Sequence, residues 1–247
     1  MPTTQPMATM STSFETRLGY VRDLYALLDE LAAASGGLRI LASSSATLPW
    51  PQRGVYFFFE PGELRSHSGT GLRVVRVGTH ALKAGAKSTL WSRLAQHKGS
   101  TKSGGGNHRG SIFRLIVGDA LLARQGEPLA TWGVGSNAPA AVKAHECVLE
   151  REVSSVIGEM PFVCLPVLDA PGPQSLRGVI ERNVIALLNN ADHEPVDPPS
   201  PTWLGLSCRR GLSRRAGMWN SEHVGAAFEP SSLDIMAALV AEARRGV

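Results

Sequence analysis

The chain lacks most of the features that would place it outside the ordinary globular class. No apolar run approaches the ~18 residues of a membrane-spanning helix, and the first residues show no basic-then-apolar leader pattern. Cysteine is scarce. Cys147, Cys164 and Cys208 are odd in number, far apart and form no CxxC pair, which argues against a disulfide framework or a zinc site and points to a reducing, cytoplasmic setting. The glycine run in GGGNHRG (104–110) is not followed by the GK[ST] ending of a P-loop. Aromatic residues are not interleaved at stacking intervals, so nothing supports a single-strand binding platform. What remains is 247 residues, 43% hydrophobic and 19% charged, a composition that can bury one sizeable core.

The most informative shortage is of acid. From Leu64 to Gly118 there is no Asp or Glu, while ten basic residues occur: Arg65, Arg73, Arg76, Lys83, Lys87, Arg93, Lys98, Lys102, Arg109 and Arg114. The remainder has 15 basic residues against 21 acidic ones, so the net charge of +4 conceals a positive window in an otherwise acidic chain. One reading is a solvated basic face. The other is a phosphate-bearing partner, because such a field attracts polyanions and speeds their encounter.

Hydrophobic periodicity gives the elements. Residues 1–12 are polar and aperiodic and read as a disordered lead-in. Thr12 and Glu15 have capping-box spacing, and Leu18, Val21, Leu24, Tyr25, Leu28 and Leu31 recur at helical intervals before Gly36-Gly37. LRILA (38–42) is a short strand; GVYFFFE (54–60) and LRVVRVG (72–78) read as an antiparallel pair, with Val75 and Val77 on one face and Arg76 on the other. Helices are expected over 87–97, 111–124, 141–160, 174–190 and the C-terminal end, with a strand at 161–169. Between them, 99–110 reads as a flexible loop, and Glu146, Glu150 and Glu152 as a solvated acidic helix face. The organisation expected is a lead-in (1–12), an N-terminal helix and connector (13–50), a core (51–190), and a C-terminal extension (191–247) with the basic cluster Arg209, Arg210, Arg214 and Arg215.

Gly54-Val55-Tyr56, then Arg76-Val77-Gly78 about twenty residues later, then Arg93 and His97 four apart on one helix, then Glu181 on a later helix form an ordered series. In that order they resemble the GIY-YIG nuclease superfamily. The resemblance implies an α/β fold with a small, mainly antiparallel three-stranded sheet flanked by helices, here with extra N- and C-terminal helical elements. It also implies one-metal phosphodiester hydrolysis of DNA. Arg93 would hold the charge developing on the phosphate in bidentate fashion. Glu181 would bind Mg²⁺, or Mn²⁺, and Tyr56 with His97 would activate water. Lys87, Lys98, Lys102, His108 and Arg109 would grip the nucleic-acid backbone. The chain departs from the family at Arg76, where a second tyrosine is usual; His80, two residues beyond Gly78, is placed to substitute for it. Either the base machinery is rearranged, or the chain is a catalytically lapsed DNA-binding module. The family's asparagine is not fixed either, since Asn183, Asn189 and Asn190 all lie near Glu181.

Overall fold

The computed structural model describes residues 13–191 and 193–245, so the 1–12 lead-in and its Thr12 cap lie outside it. Helix α1 (Phe14–Ala34) is capped by Ser13, whose hydroxyl accepts the Thr16 N–H at 3.3 Å. Strands β1 (Arg39–Ile40), β2 (Gly54–Leu64), β3 (Leu72–Gly78) and β4 (Pro161–Pro166) form one sheet in the order β1-β4-β2-β3, every pair antiparallel. The sheet thus has four strands where three were expected. The addition is β1, a two-residue segment that pairs Arg39 with Phe162 and Ile40 with Pro161 at the edge of β4.

Between β3 and β4 come α2 (Leu90–Lys98), α3 (Ile112–Gln125) and α4 (Ala140–Gly158); after β4 come α5 (Leu176–Leu188), α6 (Gly211–Ala216) and α7 (Ser231–Arg245). The α2, α3 and α4 group covers one face of the sheet, packing on Tyr56, Phe58 and Phe162. The other face, with Val55, Phe57, Phe59 and Val77, is covered by α1, α5 and α7. β2 is therefore buried on both faces, which explains its unbroken apolar run VYFFF in place of an alternating pattern. A register shift between Phe58 and Phe59 interrupts the β2–β3 ladder. That irregularity corrects the expected alternation of β3: Val75 packs in the α2–α3–α4 layer, and Val74 and Val77 pack on the opposite side.

Residues after 190 contribute to both layers. Val196, Met218, Val224, Leu233, Met236 and Val240 enter one core, and Trp203, Cys208 and Trp219 the other. Both indole N–H groups donate to the same Glu60 Oε2, at 2.9 and 2.8 Å. Asn220 completes the outer edge of β3 by accepting the Val77 N–H and donating to the Val77 carbonyl, at 3.1 and 2.9 Å.

The acid-free window in the sequence is not a free positive field in space. Arg73 is buried against Glu63, Arg114 against Glu150, and Arg109 against Glu146, with N–O distances of 2.6, 2.5 and 2.6 Å. Each acid comes from outside the 64–118 stretch. The 99–110 segment is correspondingly ordered: Ser100 and Gly105 form a bridge, and His108–Gly110 make a 3₁₀ turn capped by Asn107. Glu146 and Glu150, expected to be solvated, are buried beneath it. Taking a charge out of water is tolerable only when its partner goes with it. Glu150→Ala leaves the fully buried Arg114 unpaired and is expected to cost about 3–5 kcal/mol; a lowered urea midpoint at unchanged slope is the corresponding observation.

Candidate active site

Tyr56 lies opposite Gly78 across the β2–β3 ladder. A Cβ at position 78 would sit 2.3 Å from the Tyr56 hydroxyl oxygen, so the ring occupies the space a side chain would need. This is the physical reason for glycine at the end of RVG. The phenol is fully buried and shares a 2.7 Å hydrogen bond with His97 Nε2. His97, also fully buried, places Nδ1 2.8 Å from Ser111 Oγ. Ser111 caps α3, and its oxygen already accepts the Arg114 N–H at 3.3 Å. A protonated His97 Nδ1 satisfies this geometry, leaving Nε2 bare to accept the Tyr56 hydroxyl proton. Burial, followed by the charges of Arg93, Arg76 and Arg114, holds the imidazole pKa well below 6.5, so the ring is neutral at physiological pH.

Beside this buried pair is an open cleft of about 390 Å³ between the 79–88 loop and α2. Thr79, His80, Lys83, Ser88, Ser92 and Arg93 are among its walls. Arg93 is half-buried, with one guanidinium nitrogen donating to Gln96 Oε1 and the Gly110 carbonyl, at 2.9 and 3.0 Å. Glu181, on α5, is not among the cleft walls but is coupled to them. The carboxylate of Glu181 has the Thr79 N–H turned toward it and lies in the fields of Arg76 and Arg93. Burial, with a contribution from Glu222, raises its pKa to about 7 against the opposing pull of those cations. Arg76 is buried; it donates to the Trp219 carbonyl at 2.5 Å and lies 5.4 Å over the Phe113 ring. Tyr56, Arg76, His80, Arg93, His97 and Glu181 thus gather around one end of β3.

One turn before Glu181, Arg177 is fully buried. It donates to the carbonyls of His80, Ala81, Val167 and Asp169, at 3.3, 3.1, 3.2 and 2.9 Å, and pairs with the Asp169 carboxylate. Arg177 thus ties the ends of β3 and β4 to α5. Ser111 is invisible as a site residue in the sequence, although its position three before Arg114 fits a helix cap.

The nucleic-acid candidates divide. Lys87 and Lys102 are exposed, and Lys98 donates to the Ser44 carbonyl at 2.6 Å. Lys98 and Lys102 line a separate groove of about 600 Å³ beside α2. His108 and Arg109 are not free to grip a backbone. His108 is buried, with Nδ1 on Glu150 and Nε2 accepting the Gly133 N–H. Arg109 donates to both oxygens of Glu146 and to the carbonyls of Thr131 and Val134. The candidate asparagines are also elsewhere engaged. Asn183 accepts the Glu229 N–H, Asn189 donates to the Val224 carbonyl, and Asn190 donates to the Asp197 carbonyl.

Residues 15–245 match the family profile described as the GIY-YIG domain. The chain belongs to the GIY-YIG domain family. The match reaches well beyond residues 51–190, in keeping with the way α1 and the segment after 190 enter both cores. No curated protein and no solved structure gives a significant match. Among the described residues no helix is long and apolar enough to cross a membrane.

Two outcomes follow from this geometry. Gly78→Ala must push Tyr56 off His97; overpacking of this kind costs about 1–3 kcal/mol, and the His97 ring resonances should shift with it. In the metal-free protein Glu181 keeps its proton up to about 7, whereas the unfolded chain loses it near 4.5. The folded state then holds the extra proton between those values, so this group's contribution to stability falls as pH rises through them and is constant above. Glu181→Gln should equal the wild type below about 4.5 and exceed it above about 7 by on the order of 2–3 kcal/mol, as denaturation curves across that range would reveal.

Proposed function

We propose that this GIY-YIG chain is a divalent-metal-dependent endonuclease that hydrolyses phosphodiester bonds in DNA. The observation that carries the reading is that Glu181, from α5, lies within the electrostatic reach of Arg76, on β3, and of Arg93, from α2, which lines an open cleft. A guanidinium there can hold two non-bridging phosphate oxygens, and it does so more strongly as charge accumulates on them during attack. Arg76 and Lys83 add positive field on either side. Exposed Lys87, and the groove carrying Lys98 and Lys102, extend the surface available to a DNA backbone.

The fit of a metal ion can be judged from the donors. Among the described residues no three His, Cys, Asp or Glu side chains cluster to cage an ion. Mg²⁺ does not require a cage: it retains most of its waters and is held by one or two carboxylates together with substrate phosphate. A single half-buried carboxylate, whose burial raises its pKa to about 7 despite the nearby Arg76 and Arg93, suits such an ion. Glu181 would hold it, and the ion when bound would stabilise charge on the phosphate and the leaving oxygen. Mn²⁺ suits the same oxygen donor. Around it the chain's own groups do the rest: Arg93 orients the phosphate, and the hydrogen-bonded Tyr56–His97 pair takes part in proton handling behind Gly78.

A second reading is favoured by two specific features, the cation at Arg76 where the family usually has tyrosine and the complete burial of Tyr56 and His97. These describe a module that grips phosphate without turnover. Nicking of supercoiled plasmid in Mg²⁺ or Mn²⁺ separates the two. The nuclease should cut, with Arg93→Ala and Glu181→Ala each losing about 10²–10³-fold. Salt-sensitive binding without cutting would establish the lapsed module, and equal residual cutting by wild type and both variants would reject this site.

A further inference from the structure

His80 is a cleft residue with one ring nitrogen left unengaged. Its side chain is nine-tenths buried, yet Nε2 has no hydrogen-bond partner among the described residues. An unsatisfied buried nitrogen is costly and calls for a reason. Nδ1 faces Ser88 Oγ at 3.4 Å, and the ring lines the same cleft as Arg93. The backbone is held there against a conformational preference. Ala81 has φ 57°, in the left-handed region, and the carbonyls of both His80 and Ala81 accept from Arg177. Strain over-determined by a buried arginine is the pattern found where a side chain must be aimed. His80 Nε2 is buried like the Tyr56 hydroxyl and both His97 nitrogens, but those atoms are bonded to one another and to Ser111, whereas His80 Nε2 is left with no protein partner among the described residues.

We propose that His80 Nε2 is the group that holds the attacking water and takes its proton. The proposal rests on the nuclease reading and assigns the base within it. In the step, a water O–H proton passes to Nε2 while its oxygen forms the new bond to phosphorus. The bond from phosphorus to the leaving ester oxygen breaks, solvent protonates that oxygen, and His80 returns its proton to solvent. His80 thereby stands in for the missing second tyrosine, with Arg177 a positioning residue. The charged groups facing the imidazole are Arg177 and Arg93, with Arg53 further contributing; after burial itself, they keep it unprotonated at neutral pH, with a pKa lowered to about 4. A phosphodiester bound by Arg93 brings the negative charge that offsets them, which makes the nitrogen a better base with substrate present than without.

Single-turnover plasmid nicking at saturating protein tests this, using wild type, His80→Ala, His80→Gln and Arg93→Ala, with DNA affinity measured in Ca²⁺. His80→Gln fills the same space and can hold water but not accept its proton, so it reports on chemistry even if His80→Ala folds poorly. Both His80 variants should bind DNA as the wild type does and cut about 10²–10⁴-fold more slowly. Added imidazole should restore part of the rate to His80→Ala and none to Arg93→Ala. If either His80 variant cuts at the wild-type rate while Arg93→Ala is inactive, this assignment is wrong and the nuclease reading stands. A wild-type protein that binds DNA but cuts none overturns both.

Discussion

The guanidinium of Arg177 joins three segments that would otherwise be independent: the turn leaving β3, the end of β4, and α5. Its partners are almost all backbone carbonyls, so its charge is dispersed over fixed dipoles as well as neutralised by Asp169. Hydrogen bonds to a charged group are among the stronger ones, and a buried guanidinium left without them is heavily penalised. Thr79, His80 and Ala81 consequently have one arrangement relative to Glu181, which sits one helical turn further along α5. The site inherits its geometry from this contact before any phosphate or ion arrives.

The same rule governs the other buried arginines. Arg17 donates to the Leu187, Asn189 and Glu194 carbonyls, Arg73 bridges Glu63 and the Gly217 carbonyl, and Arg114 links α3 to Glu150 and the end of α2. Each connects elements distant in sequence. Within the 64–118 window, Arg73, Arg76 and Arg114 are buried in the structure, and the cations at or near the cleft are Arg93 and Lys83, with Lys87, Lys98 and Lys102 close to them in sequence.

Local patterns were legible in the sequence and long-range pairings were not. β3 is bounded by its apolar run, α1 by its helical repeat, and the GIY-YIG family is legible in the order of its half-motifs. The strand β1 was legible but its membership of the sheet was not, because two residues of edge pairing leave no periodic trace. Arg109 and Arg114 looked like free cations because Glu146 and Glu150 lie more than thirty residues away; one-dimensional charge counting has no access to a partner folded back from that distance. The role of Arg177 is hidden for the same reason, since nothing along the chain announces that four carbonyls will converge on it. Ser111 needed the buried imidazole to be located first.

The edge of β3 is completed by residues from much later in the chain. Asn220 pairs with Val77 on both its backbone groups, and Trp219 N–H reaches the Val75 carbonyl at 2.7 Å. Contacts separated by over 140 positions carry a large loop-closure cost and form late. On the ribosome, the first strands of the motif therefore emerge long before the polypeptide that flanks them. A nascent chain holding GVY and RVG alone would present β3 with its outer edge unfinished, open to pairing with another strand until Trp219 and Asn220 arrive.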